Sequence, residues 1–319
     1  MIGSAVQPLG LDHRISLQKL EVFCLVTELG SVTRAAEQLI VAQPVVTAHI
    51  KSLEARVGAP LLYRDGRRMR LTDAGEAVYA WAAETLARTR AMTRELAGLA
   101  DGQRGTAVLA ASMSLGSYVL PPLLIAFRRE RAQAEITLHV SDPEGAIAAA
   151  EHGDADVAVV VAQGPDGAAD QLEWERLGAT AVVLVAAPGS PPAGDRVAPA
   201  DLADLPMIAS PRGHVRRTLV DRQLARAGAE PRNLVIELGH PEAMKRAARA
   251  GLGAALLFRD SVTEELARGE LREIAIDGVA LSIPVFAVHR RGKRFTALQL
   301  DLLAALRDAL ADHEMVDAK

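Results

Sequence analysis

From Thr106 onward the chain repeats one pattern: a short β-rich run, a helical stretch, then another run. The runs are TAVLAAS, ITLHV, DVAVVVA, AVVLVAA, MIAS, LVIEL, AALLF and IPVFAVH, and helical segments lie between many of them, at 117–131, 144–152, 215–227, 242–250 and 261–268. That alternation admits few architectures, because a helical crossover returns the next strand parallel to the last. It predicts an α/β region with largely parallel sheets. A region of roughly 200 residues suits two small subdomains with a cleft between them. The loop APGSPPAGDRVAP at 187–199 reads as surface rather than as a domain boundary.

Upstream of Thr106 the signals are helical. Leu17, Leu20, Phe23 or Cys24, and Thr27 recur at helical spacing, and Gly30 sits where the helix should stop. Ser31 and Thr33 offer capping hydroxyls for a short helix ending at Leu39, and residues 40–42 form a break. Gln43-Pro44 then opens a helix to about Val57. Its stripe of Val46, Ile50, Leu53 and Val57 is spaced 4, 3 and 4. Proline in the first turn removes only an N–H that has no intrahelical partner. Next comes LLYRDGRRMRLT, in which Asp65-Gly66 predicts a hairpin turn. Thr72 can cap a long helix at 73–99 whose stripe of Val78, Ala82, Thr85, Thr89, Met92, Leu96 and Leu99 alternates steps of four and three. Such a narrow seam calls for a partner helix, and a homodimer is the simplest supply. ADGQRGT at 100–106 reads as a linker.

The net charge of −4 hides an asymmetry. Residues 14–70 hold nine Lys/Arg and five Asp/Glu, so this segment carries +4 and the remainder −8. A basic end on an acidic body points to nucleic-acid contact at that end. The single Cys24 among Phe23, Leu25 and Val26 excludes an intrachain disulfide and a CxxC site, and fits a buried apolar role. The opening MIGSAVQPLGLDHR lacks a signal-peptide pattern, and no apolar run is long enough to span a membrane. A cytoplasmic location is expected.

With the stripe buried, Pro44, Thr47, Ala48 and Lys51 should face outward, flanked by Gln43. Gln can pair with adenine in the major groove, Thr reaches base or phosphate, and Lys neutralises phosphate. The wing RDGRRMR packs four arginines into a tight turn suited to backbone or minor-groove contact. Thr33, Arg34, Gln43, Pro44, Thr47, Lys51, Arg64, Arg67 and Arg68 form the candidate DNA-binding set, with double-stranded promoter DNA as the partner.

LQKLEVFCLVTELGSVTRAAEQLIVAQPVVTAHIKSLEARVGAPLLYRDGRRMRLTDAGE, residues 17–76, resembles the DNA-binding region of LysR-type transcriptional regulators. ASMSLGSYVLPPLLIAFRRE, HGDADVAVVVAQGP, LGHPEAMKRAARAGLGAALLF and RGELREIAI resemble successive pieces of that family's effector domain. The resemblance covers roughly 14–310. It implies a multidomain α/β chain: a winged helix-turn-helix at 14–72, a dimerising linker helix at 73–99, and an effector domain at 106–312. That last domain would fold like a periplasmic binding protein, as two α/β subdomains. It further implies homodimers or homotetramers that bend promoter DNA in response to a small effector, with RNA polymerase a candidate partner. No cofactor, metal or membrane is expected. On the family pattern Ser112, Met113 and Ser114 line one wall of the effector cleft, and Ser210, Arg212 and His214 the other. Hydroxyls with an arginine suit a carboxylate, phosphate or sulfur oxyanion. The segment ASMSLGSYVLP is most similar to the branch controlling sulfur assimilation and carbon fixation, which again implies a small anion. Two positions depart from the family: Ala42 stands where a capping serine is usual, and Ala48 where a basic residue is common.

Other function classes fit less well. No histidine pair has metal spacing, no nucleophile elbow or phosphate loop occurs, and Gly251 and Gly253 precede a strand instead of opening a helix. That excludes the familiar enzyme signatures. A transport receptor would lack the basic N-terminal segment and would show no salt-sensitive DNA binding. An architectural DNA binder would ignore every small molecule.

Overall fold

The computed structural model describes residues 15–66, 68–100, 105–165, 171–229 and 233–316. The chain comprises two compact units, Met1–Thr93 and Arg94–Lys319.

In the first unit α1 (Leu17–Leu29), α2 (Val32–Leu39) and α3 (Gln43–Val57) pack together. Gly30 ends α1 in the left-handed conformation at φ +60°, which glycine adopts without steric cost. The Ser31 hydroxyl caps α2 by accepting from Arg34 N at 3.3 Å. Thr33 does not serve as this cap. Ile40 ends α2 at φ +55° with its branched side chain 92 % exposed. That conformation costs an L-residue about 1–2 kcal/mol. Val46, Ile50 and Leu53 are buried, as their spacing predicts, but Val57 lies 37 % exposed. The helix ends there at Gly58.

The hairpin of β1 (Leu62–Asp65) and β2 (Arg68–Leu71) pairs Asp65 with Arg68. Its loop is therefore 66–67, one residue later than the Asp65-Gly66 expectation, with Gly66 at φ +58°. Asp65 instead closes the ladder and binds Arg70 Nε at 2.7 Å. Glu54 of α3 accepts from Leu61 N at 2.9 Å and Leu62 N at 3.3 Å, so α3 and the hairpin are tied together. Thr72 caps α4 (Asp73–Ala100) by accepting from Gly75 N at 3.0 Å. A Cβ at Gly75 would lie 2.0 Å from Leu61 O, so this helix starts against the hairpin only because the residue is glycine.

The seam expected along α4 is divided. Ala82 and Leu86 are buried in the core of their own unit, and Val78 packs against it. Thr85 and Thr89 turn their hydroxyls back to Trp81 O and Thr85 O, each at 2.8 Å. Met92 is 62 % exposed. The side chains of Leu96 and Leu99, like the 101–104 part of the linker, lie outside the described residues.

The second unit begins with β3 (Thr106–Ser112), a π-helical turn at Leu115–Val119, α5 (Leu120–Glu130), β4 (Glu135–Ser141), α6 (Pro143–Glu151) and β5 (Val157–Val161). β6 (Leu172–Ala186), β7 (Arg196–Val197), a 3-10 turn at Pro199–Ala203, β8 (Met207–Ala209), α7 (Val215–Arg226), β9 (Leu234–Glu237) and α8 (Pro241–Arg249) follow. β10 (Ala254–Phe258), α9 (Arg259–Ala267), β11 (Arg272–Ile276), β12 (Leu281–Arg290) and α10 (Ala297–Val316) complete it.

The main sheet runs β4-β3-β5-β12-β6-β10-β8-β9, and β11 pairs with β6 and β7. β4, β3 and β5 are parallel, as are β10, β8 and β9, but β12 runs antiparallel to both β5 and β6, and β6 to β10. The expectation of largely parallel sheets thus holds in each half and fails at the centre. β11 and β12 follow one another without an intervening helix and both run antiparallel to β6. β6 is also far longer than its apolar run AVVLVAA, because it extends upstream through LEWERLGAT, in which Glu173 to Arg176 are exposed or half-buried and Leu177 to Thr180 buried. α10 has no counterpart among the expected helices.

β12 pairs with β6 along its whole length, Leu281 with Val182 to Arg290 with Leu172, with a register shift between Val285 and Phe286. Leu177 is the unpaired extra residue at that bulge, and beside it a Cβ on Gly178 would meet Leu310 O at 2.3 Å, so α10 crosses the sheet closely there. Gly253 likewise faces Pro206 O, 2.5 Å from where its Cβ would be, which makes AGLG a packing turn.

Candidate functional site

The outer face of α3 is open. Gln43, Pro44, Ala48 and Lys51 are exposed and Thr47 is half-buried. The Thr47 hydroxyl donates to Gln43 O at 3.1 Å, leaving its lone pairs and methyl outward. No side chain caps this helix at Ala42, whose backbone is nevertheless extended as a cap requires. Thr33 and Arg34 are exposed on α2. On the wing Arg64 and Arg68 are exposed, with Arg64 Nε donating to Gly66 O at 3.2 Å, and Arg67 lies outside the described residues. Arg70 is the wing arginine whose charge Asp65 offsets. Glu54 fixes the hairpin on α3.

In the second unit Ser112 closes β3, 3 % exposed, and its hydroxyl accepts from Val161 N at 3.4 Å. Met113 is half-buried and Ser114 buried as the chain enters the π-helical turn. Helical backbone therefore begins before the expected 117. Ser210 follows β8, 4 % exposed. It accepts from an Arg216 guanidinium N–H, and its own hydroxyl faces Met244 Sδ at 3.8 Å. Arg212 and His214 are exposed, and the His214 ring makes no cap bond to α7.

A cavity of about 730 Å³ opens here. Ser210 and Arg212 line it together with Gly213, Arg216 and Arg217, while Met207, Val220, Leu234 and Leu256 supply apolar wall. Ser112, Met113, Ser114 and His214 are not among its lining residues. The structure therefore brings two of the six expected effector residues to one cavity. Arg216 and Arg217 escaped the sequence reading, because adjacent arginines in the first turn of a helix look like solvated charge. Here they diverge: Arg217 pairs with Glu237 and with Asp221 at 3.4 Å, whereas Arg216 turns inward.

Beside the cavity Met244 belongs to α8, whose Glu242 and Lys245 form a second polar cluster. Lys245, 5 % exposed, binds Glu242 at 2.5 Å and Glu265 at 2.9 Å, and Tyr118 donates to Glu242 at 2.7 Å. Burial alone would raise the Glu242 pKa, but hydrogen bonds from Lys245 and Tyr118 and the Lys245 and Arg246 charges outweigh it and hold the carboxyl below its ordinary range. Burial pushes the Tyr118 phenol upward, and its acidic neighbours add to that. Among the described residues no group of three or more His, Cys, Asp or Glu could hold a metal ion, and no helix is long and apolar enough to cross a membrane.

The chain matches two family models, the LysR-family bacterial regulatory helix-turn-helix protein over residues 17–76 and the LysR substrate binding domain over 100–311. The HTH-type transcriptional regulator CbbR of Xanthobacter flavus is 32 % identical over 282 residues, covering 88 % of this chain and 83 % of that protein. A probable RuBisCO transcriptional regulator of Nostoc is 29 % identical, covering 92 % of this chain and 89 % of that one. In fold the chain is similar to the LysR-family regulator CbnR, at TM-score 0.63 and 22 % identity over 93 % of this chain and 99 % of that one. It is also similar to full-length OxyR from Pseudomonas aeruginosa, at TM-score 0.64 and 20 % identity over 93 % and 95 %. The chain belongs to the LysR family: it is a DNA-binding transcriptional regulator with a C-terminal effector-binding domain, and not an enzyme.

Proposed function

We propose that α3 and the wing are the parts that read promoter DNA, and that a small anionic effector in the C-terminal domain controls that reading. The observation that supports the first half is the exposure of Gln43, Pro44 and Lys51 on α3 and of Arg64 and Arg68 on a hairpin that Glu54 ties to that helix, with Thr47 half-buried between them. Thr33, Arg34 and Arg67 complete the proposed contact set. Gln43 suits a base edge in the major groove, and the cations suit phosphates. For the effector, Ser112, Met113 and Ser114 on the first subdomain and Ser210, Arg212 and His214 on the second are the proposed contacts.

Control requires only that the effector prefer one arrangement of the two subdomains over the other. That preference then biases how paired DNA-binding heads sit on, or bend, a promoter. The chain is proposed to act in the cytoplasm as a homodimer or homotetramer, with RNA polymerase as its partner at the promoter. Relatives named as RuBisCO regulators make promoters of carbon-fixation genes the first targets to test, beside the DNA upstream of its own gene.

The test is footprinting of those promoters by the full-length protein at two salt concentrations, with and without an anion panel. A salt-sensitive, dyad-centred footprint that an anion reshapes supports the reading, and Arg212→Ala should abolish the reshaping while leaving DNA affinity unchanged. A footprint indifferent to every anion, or a fully responsive Arg212→Ala, sinks the effector half.

A further inference from the structure

Between Gln43 and Lys51 the exposed side chains of α3 carry no hydrogen-bonding group. Pro44, Ala48 and Lys51 stand at steps of four and three, which places them on one line along the helix, and Val45 lies one residue round from it. Pro44, Val45 and Ala48 are all exposed, Val45 by 42 %. Thr47 beside them donates its proton to Gln43 O, so toward a partner it offers only a methyl group and lone pairs. His49 is half-buried and lies toward the buried stripe of Val46, Ile50 and Leu53. The turn before the helix continues the same chemistry. Ile40 and Val41 are exposed there, and Ile40 holds a left-handed backbone that disfavours a branched side chain. Neither these two nor Val45 belongs to the core of the N-terminal unit.

The charges around this apolar strip name its occupant. Lys51 on the same line of the helix, and Arg64 and Arg68 on the hairpin that Glu54 ties to α3, are exposed cations. An apolar strip flanked by cations suits a polyanion that is apolar at its recognised edge. The major groove of duplex DNA has that character only where thymine stands, because phosphates border the groove and thymine adds a C5-methyl to the base edge. A G·C pair presents donors and acceptors there instead. Aliphatic side chains against those groups leave them without partners, and that costs affinity. The strip therefore favours thymine on one count and disfavours G·C on another.

We infer that this chain selects its DNA site chiefly through thymine methyl groups, with Val45 and Ala48 as the residues that receive them. Gln43, at the start of the helix, is left as the polar reader and suits a neighbouring adenine. This rests on α3 as the promoter-reading helix and adds what that helix selects. Specificity then comes from a contact that carries no charge and forms no hydrogen bond, while Lys51 and the wing arginines supply affinity without choosing a sequence.

The test uses duplexes that the full-length protein enriches from a random-sequence library. Each is resynthesised with deoxyuridine in place of thymidine, one position at a time, which deletes the C5-methyl and leaves every hydrogen-bonding group where it was. At one or more thymines of each half-site the exchange should weaken binding about fourfold, the worth of one buried methyl-sized group. The unselected library should bind equally in either form, because phosphates carry that binding. Val45→Ser and Ala48→Asn change exposed positions, so the fold is kept, and each should bring the thymidine-over-deoxyuridine ratio at a sensitive position toward one. Lys51→Ala should weaken both forms alike and keep the ratio. Tight, salt-sensitive binding of an enriched site that ignores deoxyuridine at every position would overturn the inference while sparing α3 as the reading helix. Ratios untouched in both Val45→Ser and Ala48→Asn would do the same, and would leave the strip to a protein partner. Failure to enrich any sequence would sink the assignment of α3 itself, and this inference with it.

Discussion

The Tyr118 hydroxyl donates to Glu242 Oε1 at 2.7 Å, joining the π-helical turn after β3 to the first turn of α8. The two residues lie 124 positions apart in the chain. Lys245 completes the link from below, its ammonium 5.0 Å from the Tyr118 ring centroid and bonded to both Glu242 and Glu265. One phenol therefore ties the two elements through a hydrogen bond to Glu242 and a cation–π contact with Lys245 together.

Tyr118→Phe keeps the ring and removes the hydrogen bond. It should cost about 1 kcal/mol in urea unfolding, since Glu242 stays partly solvated and water takes over as donor. The pH dependence has a definite sign. Glu242 is held below its ordinary 4.5, so its contribution is complete above that value and lost as pH falls through the lower folded value. Lys245 is shifted above 10.5 despite burial, because bonds to Glu242 and Glu265 outweigh desolvation, so its contribution is lost only as pH rises through that higher value. The Tyr118→Phe deficit should be constant between those limits and shrink in acid. A deficit that grows in acid would contradict the charged state of Glu242.

Ala42 sits at the cap of α3 with φ −72° and ψ 141° and no side-chain bond. Ala42→Ser supplies the missing acceptor in a backbone already shaped for it. It should stabilise the N-terminal unit by about 1 kcal/mol, read as a rise in the melting midpoint. An unchanged midpoint would mean that solvent already satisfies the first-turn amides equally well.

Lys51 is exposed on the outer face of α3. Lys51→Ala should lower the slope of log affinity against log salt by about one. Its effect should be nearly the same on specific and random DNA. A full wild-type slope would place that ammonium away from the phosphates.

Cys24 is 6 % exposed, and burial above all, with Glu28 next, pushes its thiol up to about 12. The thiol should ignore disulfide reagents in the native protein, and react at the rate at which the N-terminal core opens. Rapid native labelling would show that α1 is not packed as described.

Much of this was legible in the sequence for a simple reason: local rules governed it. Gly30, Ser31, Pro44 and Thr72 mark their helix ends through their own backbone chemistry, and the spacing of Val46, Ile50 and Leu53 needs no knowledge of the partner. What escaped depends on partners distant in the chain. The hairpin loop slipped by one because Asp65 is claimed by Arg70 and by pairing with Arg68. The stripe on α4 carries no mark saying which turns belong to its own core, yet Ala82 and Leu86 do. Of the effector residues, Ser210 and Arg212 line the cavity, but the inward turn of Arg216 depends on Leu256 O and Met244, forty and twenty-eight residues away.

The β6–β12 ladder also orders events in time. Leu172 pairs with Arg290 and Val182 with Leu281, so the first two thirds of β6 have no partner on that side until β12 has been made. The N-terminal unit closes its own core from Leu20 to Leu86 and needs none of that later sequence. Domains folding in order of synthesis would give a nascent chain a finished DNA-binding head while β5 and β6 still expose bare edges. Unpaired edges of this kind template aggregation. A chain stalled before Leu281 would therefore hold a folded N-terminal core beside a sheet in which β5 and most of β6 still await β12.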